Sequence, residues 1–344
     1  MNAQLLSEID HALWYAKERP DVWFGDINII FAGDFFQYPP VAGTPLYTPI
    51  SMYTSQTNEE IQRCLGRMAW KTVDTIIELT EQQRMKSDPE YANAVQRLWT
   101  RQCHLEDVEL FNIRVIKSCD HPQGIDMGDN ENSDASVIVN TNLLHEILNM
   151  EKAWASCTST DNMTPELIVC AAYDVSPSGH IPLSWKEADQ ILHTNFSSSK
   201  NQGALPGFVP LFIGMPVILH TRNISTDLKI TNGSQGFVRK IETEITPQGL
   251  TYCSCVIVEF PDSPITLKAL PKGYFPILPT TWFFITSFIM ESKKKIKMSR
   301  HQIPIQPAFA VTGHSAQGKI ILKVLASLHE GGFGAYVAAS CAKS

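Results

Sequence analysis

The sequence predicts an α/β protein built on parallel strands, with a small antiparallel barrel inserted late in the chain. Three observations carry this. Short apolar runs rich in branched residues, at Ile27–Ala32 and Ser136–Asn140, end in polar turns, as strands covered on both faces do. Stretches with helical spacing alternate with such runs over much of the chain. Between Phe208 and Ile303 the texture changes to short strands joined by turns.

Composition narrows the field. With 344 residues, 44% of them hydrophobic, the chain can form two domains or one domain with a large insertion. A net charge of −7 argues against a protein that coats nucleic acid or anionic membrane without specificity, while leaving room for a local basic groove. The eight cysteines include no CxxC pair, so neither a zinc site nor a disulfide framework is indicated, and reduced thiols in a nuclear or cytoplasmic protein are expected. Cys253 and Cys255 would share one face of a strand as core residues. No basic segment precedes an apolar core at the N-terminus, and the longest apolar run, Trp282–Met290, is too short to span a bilayer, so no membrane partner is expected.

Taken in order, Leu5, Leu6, Ile9, Leu13 and Ala16 predict a helix over residues 2–18, with Asn2 as N-cap. The Ile27–Ala32 strand follows, and Gly33 turns the chain at its carboxyl end. Ligands of open parallel sheets sit at that end, so Asp34 and Gln37 are well sited for one. A helix at Glu59–Trp70 and a strand at Thr75–Leu79 lead to Thr80–Arg84. Asp88 and Pro89 form a helix start, and two helices run to about Ile116. Residues 118–136 read as a surface loop. The strand Ser136–Asn140 feeds Thr141 and Asn142 and then a helix over Leu143–Trp154. Residues 156–207 give little signal.

The β-rich region carries strands at Met215–His220, Gly236–Ile241, Leu250–Phe260 and Trp282–Ile289, with a hairpin turn at Asn232-Gly233. Lys293, Lys294, Lys295, Lys297 and Arg300 form a dense basic run, either a solvated loop or a phosphate-contacting one. The strand Pro307–Thr312 leads to Gly313-His314-Ser315-Ala316-Gln317-Gly318, and a last helix covers about Ala335–Ala342.

Six blocks in this order carry a resemblance: GDFFQYPPV (33–41), LTEQQR (79–84), VIVNTN (137–142), IGMPVILHTRN (213–223) with TNGSQGFV (231–238), RHQIPIQPAFAVTGHSAQG (300–318) and GAYVAAS (334–340). The chain resembles the Pif1-type DNA helicases, of the RecD-related, 5′→3′ branch of helicase superfamily one. The match covers most of residues 24–341, with gaps at about 145–205 and 262–298.

The resemblance implies P-loop NTPase-type, RecA-like parallel sheets. On this expectation residues 1–84 are the end of a first, incomplete RecA-like domain. Residues 85–207 and 304–344 form the second, with its final part truncated, and 208–303 are its inserted barrel. It further implies that Gln37 senses the γ-phosphate of ATP and that Arg84 reaches that phosphate from the opposite side. Asp34, Gln317 and Gly318 would belong to the nucleotide edge. Thr141, Asn142 and His314 would lie near a DNA strand, with Lys293, Lys294 and Lys295 as further phosphate contacts. Single-stranded or duplex DNA is the implied partner, and ATP with Mg²⁺ the implied cofactors.

Three departures bear on turnover. No GxxxxGK[ST] segment is present, so the phosphate cradle is missing from these residues. The Asp-Glu pair that the family places just before the position of Met1 is missing too. Where the family has YVALSR or YVAASR, this chain has Cys341 in place of an arginine finger, a group that contributes about 10³–10⁵ in rate, or roughly 4–7 kcal/mol. The expectation is a fragment of an ATP-dependent DNA helicase, of repair, recombination or transposon origin, inactive on its own. A non-catalytic single-stranded DNA-binding or protein-interaction remnant is the alternative.

Overall fold

The computed structural model describes all residues except 51–56, 121, 123, 128–134, 159–164, 176–182, 195–203, 221–222, 287–295, 320, 330 and 343–344. It divides into two compact units. The first comprises residues 1–128, 317–322 and 328–344, and the second residues 129–316 and 323–327.

The first unit is helical. Asn2 caps the helix Ala3–Lys17 by accepting from Leu5 N at 2.8 Å, and Glu18 ends it in the left-handed region at φ 56°. The helix Asn58–Trp70 crosses it backbone to backbone at Gly66, where a Cβ would stand 1.7 Å from Ala3 O. Only glycine permits that approach. Ala3, Leu6, Phe24, Leu46 and Ala69 are buried where these elements meet. A second core joins Met85 and the helix Pro89–Thr100, with the expected Asp88 cap and Pro89 start, to the helix Gly332–Cys341 through Tyr91, Val95 and Ala339.

Two expectations fail here. Residues 27–32 and 75–79 are not strands, and among the described residues of this unit no strand forms. Ile29 and Phe31 pack on the first core while Ile30 between them is 94% exposed, and Ile76, Ile77 and Leu79 are more than four-fifths exposed. The period-2 pattern is thus partly realised, but a strand also needs a neighbour to take its backbone hydrogen bonds, and the unit supplies none.

The second unit contains the parallel sheet. Ser136–Val139 lies between Ala310–Thr312 and Val324–Ala326, parallel to both, with Val139 opposite Thr312. The helix Asn142–Thr158 packs on it. Its buried Asn149 donates from Nδ2 to Ala310 O at 3.0 Å and accepts from Ala310 N at 2.9 Å. One amide thereby satisfies the open side of the edge strand.

A run of antiparallel strands lies between Ser136–Val139 and Ala310–Thr312 in sequence. Pro216–Leu219, Gln235–Ile245, Thr251–Glu259 and Tyr274–Ile277 form an antiparallel sheet that Ile305–Pro307 completes at one edge. Gly233 turns its hairpin at φ +89°. Cys253 is fully buried, but Ser254 is skipped in the pairing between Glu242–Cys255 and Thr243–Cys253. This bulge turns Cys255 off the core face, contrary to the expected shared face.

Residues 156–207, unreadable in sequence, contribute the strands Ile168–Ala171 and Tyr173–Val175 and the helix Trp185–Leu192, started by a Ser184–Glu187 capping box. Tyr173–Val175, Ile296–Gln302 and Thr280–Thr286 form a further antiparallel sheet. In it Arg300, expected within a solvated basic run, is fully buried. It donates from Nε and Nη2 to Asp174 at 2.8 Å each, and to Leu205 O and Ile191 O at 3.0 and 3.1 Å. Strand alternation puts Met298, Arg300 and Gln302 inward and Lys297 outward. No described helix is long and apolar enough to cross a membrane.

Candidate functional site

Asp34 anchors the loop that follows Gly33. Its Oδ1 accepts from Phe36 N at 2.8 Å and from Trp99 Nε1 at 3.2 Å, and its Oδ2 accepts from Tyr336 Oη at 3.1 Å. The loop is therefore tied to the helices Pro89–Thr100 and Gly332–Cys341. Burial, and then the Asp34 charge, push the Tyr336 phenol well above its ordinary range, so it acts as a donor and stays neutral.

Gln37 comes next on the loop, and its Oε1 accepts from Gln317 Nε2 at 2.8 Å. Arg84 stands beside the fully buried Met85, which fixes the chain in the second core. Its guanidinium donates to Ser340 O at 3.2 Å and to Gly318 O at 3.3 Å. Gln37, Glu81, Gln82, Gln83, Arg84, Tyr336 and Ser340 line one hollow of about 300 Å³. Asp34, Gln37, Arg84, Gln317 and Gly318, spread over 285 positions (318 − 34 + 1), are thus brought together within the first unit. A planar cation, amides and a hydroxyl around a polar hollow suit a phosphate-bearing ligand.

The carboxylates there do not suit Mg²⁺. Both oxygens of Asp34 are taken by hydrogen bonds, and Glu81 pairs with Lys86 at 3.8 Å. A hard cation needs free oxygen ligands in a near-octahedral set, which these residues do not offer.

In the second unit Thr141 and Asn142 follow the carboxyl end of Ser136–Val139, and His314 follows that of Ala310–Thr312. The strands are parallel neighbours, so all three residues leave the same edge of the sheet. Thr141 Oγ1 accepts from Leu144 N at 3.2 Å, which opens the helix, and burial lowers the His314 imidazole below its ordinary range. Lys293, Lys294 and Lys295 lie outside the described residues.

Sequence reasoning gave no role to Tyr336, Trp99 or Lys319. Tyr336 sits in an apolar helix and Trp99 near the end of an amphipathic one, so neither pattern marks a ligand-facing side chain.

The parallel sheet, with antiparallel strands between its own strands in sequence, defines an α/β fold of the class seen in solved helicase structures. Within that class the fold is that of the Pif1 helicases. The chain is similar over its whole length to Pif1 helicase from Candida albicans (19% identity, TM-score 0.59, 68% of that chain covered). It is also similar to Bacteroides Pif1 bound to ssDNA (17%, 0.62, 66%) and to Bacteroides Pif1 in complex with ADP-AlF3 and ssDNA (19%, 0.59, 66%). The chain spans about two thirds of the length of these structures. No protein-family model and no curated protein matches the sequence.

Proposed function

We propose that these residues carry the phosphate-sensing and strand-binding portion of a Pif1-type, ATP-dependent DNA helicase. The observation that supports this best is the shared hollow: Gln37 and Arg84, far apart in sequence, line it together while Gln317 holds Gln37. Arg84 would pair with γ-phosphate oxygens, where its permanent charge and planar fork offset the charge that spreads over them in the transition state. Gln37 would exchange its bond to Gln317 for one to the phosphate, linking nucleotide state to the 317–322 segment. Thr141, Asn142 and His314 would meet the DNA strand at the edge of the parallel sheet.

These 344 residues contain no phosphate cradle, and the carboxylates at the hollow do not fit Mg²⁺, so the chain by itself would bind and sense a phosphate without turning it over. A repair or recombination role and a nuclear or cytoplasmic location accompany this reading. A second reading, a non-catalytic single-stranded DNA binder, draws on the exposed Phe283, with Lys297 Nζ 5.1 Å from its ring centroid. Base stacking on such an aromatic is worth about 1–3 kcal/mol per base.

The experiment is fluorescence anisotropy with a labelled single-stranded oligonucleotide over a salt series, together with phosphate release from ATP with and without that DNA. Binding that weakens steeply with salt and on Thr141→Ala or His314→Ala, with no phosphate release, is the expected result. Binding that ignores those substitutions contradicts the strand-binding assignment. DNA-stimulated phosphate release by this chain contradicts the assignment of sensing without turnover.

A further inference from the structure

Lys319 is a half-buried residue whose ammonium finds no acceptor among the described residues. Its Nζ is shielded from solvent and makes no hydrogen bond among the described residues. A charged donor in that state carries an uncompensated desolvation cost, which a native structure tolerates where a ligand completes the site.

Its place is set by its neighbours. Arg84 holds Gly318 O on one side, and on the other Ile321 N donates to Cys341 O at 2.9 Å. Lys319 is thereby held beside the end of the helix Gly332–Cys341, next to the Cys341 thiol, on which the Arg84 guanidinium also acts. Burial pushes that thiol up despite both cations, so Cys341 supplies no counter-charge. Asp34 is committed to Tyr336 and Trp99, and Glu81 to Lys86. Two cations therefore flank one neutral thiol.

We propose that Lys319 is a second phosphate-binding cation of the Arg84 hollow, acting on the polyphosphate of a nucleoside triphosphate. This rests on the nucleotide reading above and adds a residue to it. Its four-carbon stem lets the ammonium swing to an oxygen of a phosphate held at Arg84 without backbone movement. Burial lowers the Lys319 ammonium to about 8, and a phosphate beside it would raise it again.

The test combines two measurements on the intact chain. Nuclear magnetic resonance of the ¹³C-lysine-labelled chain reads the titration of Lys319, assigned with Lys319→Arg, with pyrophosphate and with chloride at matched ionic strength. Titration with pyrophosphate and with ATP compares the wild type with Lys319→Gln, Lys319→Arg and Arg84→Gln. Expected are an upward shift of the Lys319 titration with pyrophosphate, affinity about tenfold lower in Lys319→Gln, and recovery in Lys319→Arg. Wild-type affinity in Lys319→Gln and an unmoved Lys319 titration, with Arg84→Gln weakened, overturn this inference and leave the nucleotide reading standing. No binding by the wild type overturns both. If Lys319→Gln does not fold, the Lys319 titration alone decides.

Discussion

Tyr336 Oη donates to Asp34 Oδ2 at 3.1 Å across 302 positions of sequence. This bond fastens the Gly33 loop, and so Gln37, to the last helix of the first unit. Tyr336→Phe should cost about 0.5–1.5 kcal/mol and Asp34→Ala somewhat more, because it also frees Trp99 and Phe36 N. Urea denaturation of both variants checks the order, and an unchanged midpoint in both would mean that the loop is held by other contacts.

Arg300 and Asp174 are 0% and 3% exposed at their side chains. Arg300→Met should destabilise by about 3–5 kcal/mol, since it strands a buried carboxylate. Adding Asp174→Leu should return part of that loss. A double variant as unstable as the sum of the two single variants would show that the pair is not coupled.

Asp107 supplies a pH dependence. Hydrogen bonds from Arg97 and then from His104 N hold its carboxyl down to about 2, against an ordinary 3.8. A depressed folded value contributes stability that is complete above the ordinary value and is lost as pH falls through the folded one. The loss should therefore run from about pH 4 toward pH 2. Asp107→Asn should flatten that part of the stability curve, and an unchanged curve would contradict the assignment.

How much was legible in the sequence followed the range of the forces involved. Helix starts at Asn2 and Asp88 were readable because a cap is a matter of three or four adjacent residues. The strand at Ser136–Val139 was readable and does pair. Ile27–Ala32 and Thr75–Leu79 have the same local texture and do not, since pairing depends on distant chain that local pattern does not report. The basic run misled at Arg300 because only the register of its strand decides which cation turns inward.

The hollow was partly legible. Asp34, Gln37, Arg84, Gln317 and Gly318 lie in ordered blocks of a known pattern, so resemblance reached them. Lys319, one residue further on, was missed. Its significance rests on burial without an acceptor, which no spacing encodes.

The most direct measurement is calorimetric titration of a slowly hydrolysed ATP analogue into the wild type, Gln37→Ala and Arg84→Ala, with circular dichroism confirming that each variant is folded. The account predicts wild-type binding near the millimolar range, where the free energy is about −4 kcal/mol, and at least tenfold weaker binding in both variants. Equal affinity in all three proteins would contradict it.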